Sequence, residues 1–272
     1  MTGPVGVGIG WRPEIAGFVA GLPGLPFVEV IAESAPAAGP LPAELTALRE
    51  RGVAVVPHGV RLSLGSAEPV DSARVAHLVA VAELTDAALV SEHIAFVRAG
   101  GLEAGHLLPL PRSREAVTAV CANVARAQAE LPVPIALEPI AALFDWPDDE
   151  LDEAAFLTEI LDRTGAHLLL DIANVYANAR NRGADPLDLL DRLPLERVAY
   201  AHVAGGAEQD GYYHDTHTSP VSRPVLDLVG ELCARHRPPA LLLERDGNYP
   251  PAAALRAELD ALAAVGGLPV IT

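Results

Sequence analysis

Short runs of apolar, often β-branched residues recur along the chain, and longer amphipathic stretches separate them. Eight runs stand out: VGVGI from Val5, FVEVIA from Phe27, VAVVPHG from Val53, ALVSEHI from Ala88, PIALEPI from Pro134, HLLLDIAN from His167, VAYAHVAG from Val198 and ALLLERD from Ala240. They are short and nearly continuous in apolar character, as strands buried on both faces of a parallel sheet are. The intervening stretches carry helical spacing with start and stop signals. DSARVAHLVAVAELTDA opens on Asp71 and Ser72 as cap candidates, SREAVTAVCANVARAQAE opens at Ser113, and DDELDEAAFLTEILDRTG ends on Gly165. Strands alternating with helices predict an α/β fold with a parallel sheet. Eight such units in 272 residues predict a closed (β/α)8 TIM barrel, one catalytic domain over residues 1–272. The rival, a doubly wound open sheet, lacks the GxGxxG expected after its first strand. No linker or low-complexity tract divides the chain.

The apolar runs end in an unusual way. In order they stop at Glu33, His58, Glu92 with His93, Glu138, Asp171 with Asn174, His202, and Glu244 with Arg245 and Asp246. In a barrel these ends converge on one rim, where active sites are built. A strand core of Leu, Val and Ala that repeatedly stops at a charge is not explained by packing. The long connection after the seventh run adds HDTHTSP, in which Asp215 and His217 flank Thr216. Alternate residues of an extended segment point the same way, so this pair is expected to aim a carboxylate and an imidazole at one point. The remaining histidines, His77, His106, His167, His214 and His236, fall on helix faces, in loops or at a strand start and read as structural or surface groups.

Composition narrows the chemistry. Half the residues are hydrophobic but only 4% are aromatic, so the core must be built from Ala, Val, Leu and Ile. All 19 basic residues are arginine. A chain without lysine can form no lysine Schiff base and has no P-loop lysine. The formal charge of -17 argues against binding a nucleic-acid backbone. Cys121 and Cys233 lie far apart without CxxC spacing, so neither a disulfide framework nor a thiolate zinc site is indicated, and both read as small buried hydrophobes. No signal-peptide pattern and no apolar segment of about 18 residues is present, which predicts a cytoplasmic protein without a membrane partner.

Several carboxylates gathered on one rim raise each other's pKa, and multivalent cations resolve that conflict. His58, His93, His202 and His217 with Glu138, Asp171, Asp215 and Glu244 make about eight ligands, more than one metal ion takes. Two or three ions bridged by a carboxylate are therefore expected. Ligand type leaves iron, manganese and zinc open.

The blocks VPHGVRLSLG, SEHIAF, LLLDIANVYANARNRGADP, AYAHVAGG, HDTHTSPV and LLLERDGNYP resemble the signature blocks of the multinuclear non-heme iron-dependent oxidative enzymes, the MNIO family, relatives of the methanobactin-type peptide-modifying oxidases. The resemblance runs from Gly8 to about Glu258 in family order. It implies a TIM barrel holding two or three irons, a mixed-valent pair with a third, more labile ion. It also implies dioxygen-dependent modification of a ribosomally made precursor peptide, often at cysteine. It places His58, His93, His202 and a bridging Glu138 in the cluster, adds Asp171, Asp215, His217 and Glu244, and makes Asn174 a ligand of the third ion. Glu33, Arg245 and Asp246 become candidates for substrate positioning or proton transfer. Where many relatives have Glu-Asn, this chain has Glu138-Pro139. Relatives work with a separate protein that binds the leader of the peptide. The irregular stretches Arg98–Ser113 and Gly205–Asp215 look better suited to lining a site than to gripping a leader.

Two other readings fit a His- and carboxylate-lined rim. One is a metal-dependent sugar isomerase or phosphodiesterase of the xylose-isomerase or endonuclease type. The missing lysine opposes the isomerase, and the net charge opposes the nuclease. The other is a metal-storage or scaffold protein, which would not need open coordination positions.

Overall fold

The eight apolar runs are the eight strands of a closed parallel barrel in the computed structural model, which describes residues 3–272. The strands are β1 (Gly6–Gly10), β2 (Phe27–Ile31), β3 (Ala54–Gly59), β4 (Val90–His93), β5 (Ile135–Glu138), β6 (His167–Asp171), β7 (Val198–Val203) and β8 (Ala240–Leu243). Each pairs with its sequence neighbours. The ring closes where β1 meets β8, with Val7 opposite Leu241, and β2, with Ile9 opposite Val28. The helices are α1 (Ala16–Ala20), α2 (Ala43–Glu50), α3 (Ser72–Thr85), α4 (Arg114–Glu130), α5 (Glu153–Thr164), α6 (Ile172–Arg182), α7 (Pro186–Leu190), α8 (Arg223–Arg235) and α9 (Ala252–Gly266). The expected caps are in place. Asp71 accepts from the Ala73 N–H at 2.8 Å, Ser113 from Ala116 at 3.1 Å and Asp152 from Ala155 at 3.0 Å. Gly165 closes α5 in the left-handed region.

Strand parity divides the barrel into layers. Phe27, Val56, Leu89, Ala136, Leu169, Tyr200, Ala240 and Leu242 form a small cluster of their own, separate from the larger core between strands and helices. Two residues further along the same strands stand Glu29, His58, Ser91, Glu138, Asp171, His202 and Glu244. Because residues i and i+2 share a face, the apolar filling of the barrel is overlaid directly by a polar layer. β1 contributes almost nothing to the interior: a Cβ on Gly8 would lie 2.5 Å from the Phe27 ring, so Phe27 occupies that space instead.

Three sequence expectations need correction. The sixth strand stops at Asp171 and not at Asn174. Asp171 Oδ1 accepts from the N–H groups of Ala173 and Asn174 at 2.6 and 3.0 Å, capping α6 and placing Asn174 in its first turn. The stretches expected to be irregular each hold an antiparallel hairpin, Phe96–Ala99 with Leu102–Leu108 and Ala207–Gln209 with Tyr212–His214. Their two-residue turns, Gly100-Gly101 and Asp210-Gly211, have positive φ at both positions, the backbone that two-residue hairpins favour. Cys121 is buried as expected, but Cys233 is only half-buried.

One face of α6 ties down both rim connections beside it. Asn174 Nδ2 donates to the Pro139 carbonyl at 3.2 Å. Asn178 donates to the Ile140 carbonyl at 3.2 Å and accepts from the Ala142 N–H at 2.8 Å. Asn181 exchanges both bonds with the Tyr213 backbone at 2.8 Å. No helix among the described residues is long and apolar enough to cross a membrane.

Candidate metal centre

Glu138, the last residue of β5, lies at the middle of the polar layer and is almost fully buried. Its Oε2 is 3.2 Å from His93 Nε2 and 3.5 Å from His58 Nε2, and its Oε1 is 3.4 Å from His202 Nδ1. His202 Nδ1 is also 3.0 Å from Glu244 Oε2. On the other side of Glu244, His217 Nδ1 lies 3.4 Å away, while His217 Nε2 is 2.5 Å from Asp215 Oδ2 and 3.9 Å from Asp171 Oδ2. The structure thus brings together His58, His93, Glu138, Asp171, His202, Asp215, His217 and Glu244. Four overlapping trios can each point ligand atoms at one ion: His58–His93–Glu138, Glu138–Asp171–His202, Asp171–His217–Glu244 and Glu29–His202–Glu244.

Two observations test whether metal fits. Ligands bonded to a first-row ion at about 2.1 Å stand about 3.0–3.4 Å from one another when adjacent, and most of the separations above fall in or near that range. Second, Glu138 Oε2, Asp171 Oδ2, His202 Nδ1 and Asp215 Oδ1 are buried without a hydrogen-bond partner. Native proteins rarely leave such atoms unsatisfied. The donor set, imidazole and carboxylate without thiolate, suits iron, manganese or zinc. The residues fit a multinuclear centre.

The protons of the cluster show the same frustration. Burial opposes ionisation of Glu138, but His202 and His93 outweigh it and pull the carboxyl down to about 2. Burial likewise opposes a charged His93, yet Glu138 and Glu92 push it up to about 9. His202, against burial, is raised by Glu29 and Glu138, and His217, against burial, by Glu244 and Asp215. Burial and then Asp215 and Glu138 push Asp171 up to about 8. Burial lowers His58. Below pH 8, then, Asp171 and His93 hold protons that a cation must displace. Zinc affinity is expected to rise between about pH 6 and 8, by about tenfold per pH unit for each proton displaced. Isothermal calorimetry in buffers of different ionisation enthalpy reads the released protons, and a pH-independent affinity would contradict this.

The loop-borne pair departs from its expected conformation. His217 is not extended: its φ is +54°, in the left-handed region where non-glycine residues are uncommon. Its carbonyl accepts from the Asp246 N–H at 2.8 Å, and its Nδ1 meets Asp246 Oδ2 at 3.1 Å. The two side chains still meet, held by the eighth connection and not by strand alternation.

The other expected residues are placed as follows. Asn174 is buried in the first turn of α6 and uses its Nδ2 on Pro139. Asp246 Oδ1 accepts from Arg12 Nη2 at 2.6 Å and Nε at 2.9 Å. Glu33 accepts from the Val60 N–H at 3.0 Å and lines a cavity of about 380 Å³ with Arg61, Asp71, Arg74 and His77. Burial, then Glu92, raises the Glu33 pKa. Arg245 is not brought to the cluster. Its guanidinium is buried on Glu258 of α9 at 2.7 and 2.8 Å, where it braces the wall.

Four residues were missed in the sequence: Glu29, Ser91, Tyr200 and Arg12. Glu29 sits mid-strand, with Oε2 2.5 Å from the Tyr200 hydroxyl and 2.8 Å from His202 Nε2. Ser91 Oγ is 2.8 Å from both His58 Nδ1 and the Tyr200 hydroxyl. Parity gives the signal for Ser91 and Tyr200, which stand two residues before His93 and His202 on the same strand faces. Arg12, just past β1, bonds Glu244 as well as Asp246, and only its position after a bare glycine strand marks it.

A family model described as RiPP precursor modification enzyme MbnB/TglH/ChrH matches residues 6–266. The chain is 53% identical over 267 residues to a UPF0276 protein of Streptomyces avermitilis, covering 96% of this chain and 55% of that one, so it spans little more than half of that relative. It is 38% identical over 258 residues to a UPF0276 protein of Caulobacter vibrioides, covering 94% of this chain and 92% of that one. Among solved structures it resembles a xylose isomerase domain protein from Planctomyces limnophilus with a TM-score of 0.61 at 15% identity, covering 97% of this chain and 98% of that one. The last likeness shows the fold alone.

Proposed function

Since the chain belongs to the MbnB/TglH/ChrH family of RiPP precursor modification enzymes, we propose that it is an iron-dependent oxidoreductase that uses dioxygen to remodel a residue, cysteine foremost, of a ribosomally made precursor peptide. The observation that carries this reading is the set of buried, unpartnered donor atoms on Glu138, Asp171, His202 and Asp215 converging on one rim. Two or three irons would be held by His58, His93, Glu138, Asp171, His202, Asp215, His217 and Glu244, with Asn174 as a ligand of the third, and would supply the redox chemistry for oxidising the substrate with dioxygen.

The chain's own residues set the approach. The side chains of His58, His202 and Glu138 are at most 2% exposed, whereas His217 is 18% and Asp246 38% exposed. Substrate therefore enters from the side of the Asp215–His217 connection. Arg12 and Asp246 fix the His217 ring on that side, and Glu33 at its cavity is the group placed to exchange a proton with bound peptide. Arg245, held by Glu258, stiffens the wall behind them.

Metal analysis of protein from iron-replete cells is expected to find more than one iron per chain. His58→Ala should remove iron from the strand-borne core, while Asp215→Ala or His217→Ala should mainly empty the loop-borne position. Zinc at a single position, indifferent to these changes, would overturn the reading.

Peptide recognition is proposed to need a separate leader-binding partner. Ordering a flexible peptide opposes binding, and a few rim contacts offset little of it. A helper that holds the leader raises the effective concentration of the reacting residue. The mass change of precursor peptide under air is expected to be slow with this chain alone and faster with the helper. Equal rates at micromolar peptide would show that the barrel recognises its substrate unaided.

A further inference from the structure

We infer that Glu29, Tyr200 and Ser91 form a hydrogen-bond relay that holds a proton on His58 Nδ1 and on His202 Nε2, so that each ring presents its other nitrogen to Glu138. This rests on the reading of those two histidines as metal ligands. The atoms run without a gap. His58 Nδ1 lies 2.8 Å from Ser91 Oγ, which lies 2.8 Å from the Tyr200 hydroxyl. That hydroxyl lies 2.5 Å from Glu29 Oε2, which lies 2.8 Å from His202 Nε2. Each of the five side chains is at most 2% exposed, so no bulk water competes.

The direction of donation follows from the inventory of donors. A carboxylate only accepts, so Tyr200 donates its one hydroxyl proton to Glu29. The Tyr200 oxygen must then accept from Ser91, and with its own proton committed, Ser91 must accept from His58. His58 is thereby the Nδ1–H tautomer, with Nε2 bare toward Glu138. On the other arm Glu29 accepts from His202 Nε2–H, which leaves Nδ1 as the nitrogen that faces Glu138 and Glu244.

This explains why the two histidines use opposite nitrogens on the same bridge. One anion within the layer orients both rings, and it does so by reaching one directly and the other through two hydroxyls. Ligand histidines are commonly held this way by a separate partner each. Glu29 also belongs to the trio with His202 and Glu244; its Oε2 serves the two donors at 2.5 and 2.8 Å, and only its Oε1 is without a partner. Tyr200 and Ser91 are therefore positioning residues.

The test reads metal-free protein carrying ¹⁵N-histidine by two-bond ¹H–¹⁵N correlation, followed by zinc titration. Wild-type His58 is expected as the Nδ1–H tautomer. In Tyr200→Phe the Ser91 hydroxyl is released and can donate to His58, so the Nε2–H tautomer should grow. Zinc affinity at the core should fall about 10–100-fold in Tyr200→Phe and Ser91→Ala. A proton on His58 Nε2 in the wild type overturns the inference whether or not the variants fold. So do variants with unchanged tautomer and unchanged zinc affinity. Failure of wild-type protein to bind metal would instead sink the proposed function and leave the tautomer result standing.

Discussion

Glu138→Ala is expected to strip the strand-borne core of metal and to abolish turnover. Glu138 is the residue whose two oxygens face different histidines, Oε2 toward His58 and His93 and Oε1 toward His202. On the proposed two-ion core, its removal would delete a ligand from both ions and the anion between them. Changing a residue that merely orients a ligand costs about 10–100-fold in metal affinity; loss of the bridge should exceed that range. Glu138→Gln separates shape from charge, since it fills the same space but cannot neutralise two cations. The barrel itself should persist, because the apolar layer beneath the site and the core outside it are untouched. The check is metal content by mass spectrometry alongside circular dichroism. Wild-type metal in a folded Glu138→Ala protein would show that no bridged pair exists.

The fold was legible because both of its periodicities are strong: apolar runs of strand length and helices with Asp71, Ser113 and Asp152 as caps. The ligand candidates were legible because each closes an apolar run. What escaped were features that depend on a second strand or on backbone sign. Glu29 reads as a stray charge inside FVEVI until Tyr200 and His202 are seen across the barrel. Asn174 reads as a strand end until Asp171 is seen to cap a helix. The left-handed backbone at His217 leaves no trace in the letters HDTHTSP. Arg245 looked equivalent to its neighbours Glu244 and Asp246, because sequence order does not say which way a residue beyond the last strand turns.

Gly205→Ala is expected to empty the loop-borne position while leaving the strand-borne core loaded. A Cβ at Gly205 would lie 2.1 Å from the Ser219 carbonyl oxygen and 2.3 Å from that of Pro220. Both are backbone atoms that cannot rotate aside, so the connection carrying Asp215 and His217 must move as a whole. Forcing extra volume into a packed position costs about 1–3 kcal/mol, which for a chain of this size lowers Tm by roughly 2–12 °C. Gly230→Ala is the control: its Cβ meets only a Val265 methyl at 3.7 Å, in the middle of α8. It should keep its metal and lose no stability, since alanine outranks glycine in a helix by about 1 kcal/mol. Metal-to-protein ratios for the two variants decide the matter. Full metal content in Gly205→Ala would mean that the loop ligands tolerate displacement.

The asparagine row on α6 has a bearing on how such a protein can diversify. Asn174, Asn178 and Asn181 grasp the connections beside them only by main-chain groups, the carbonyls of Pro139 and Ile140, the N–H of Ala142, and both groups of Tyr213. A grip on the peptide backbone does not read side chains. The exposed Leu143 and Phe144 can therefore be exchanged without losing that anchorage over the rim, whereas the side chains of Asp145 and Trp146 hold Arg112, Arg182 and the Pro109 carbonyl. Descendants of one barrel can thus acquire new substrates through substitutions at those exposed positions, with the candidate metal ligands beneath left as they are.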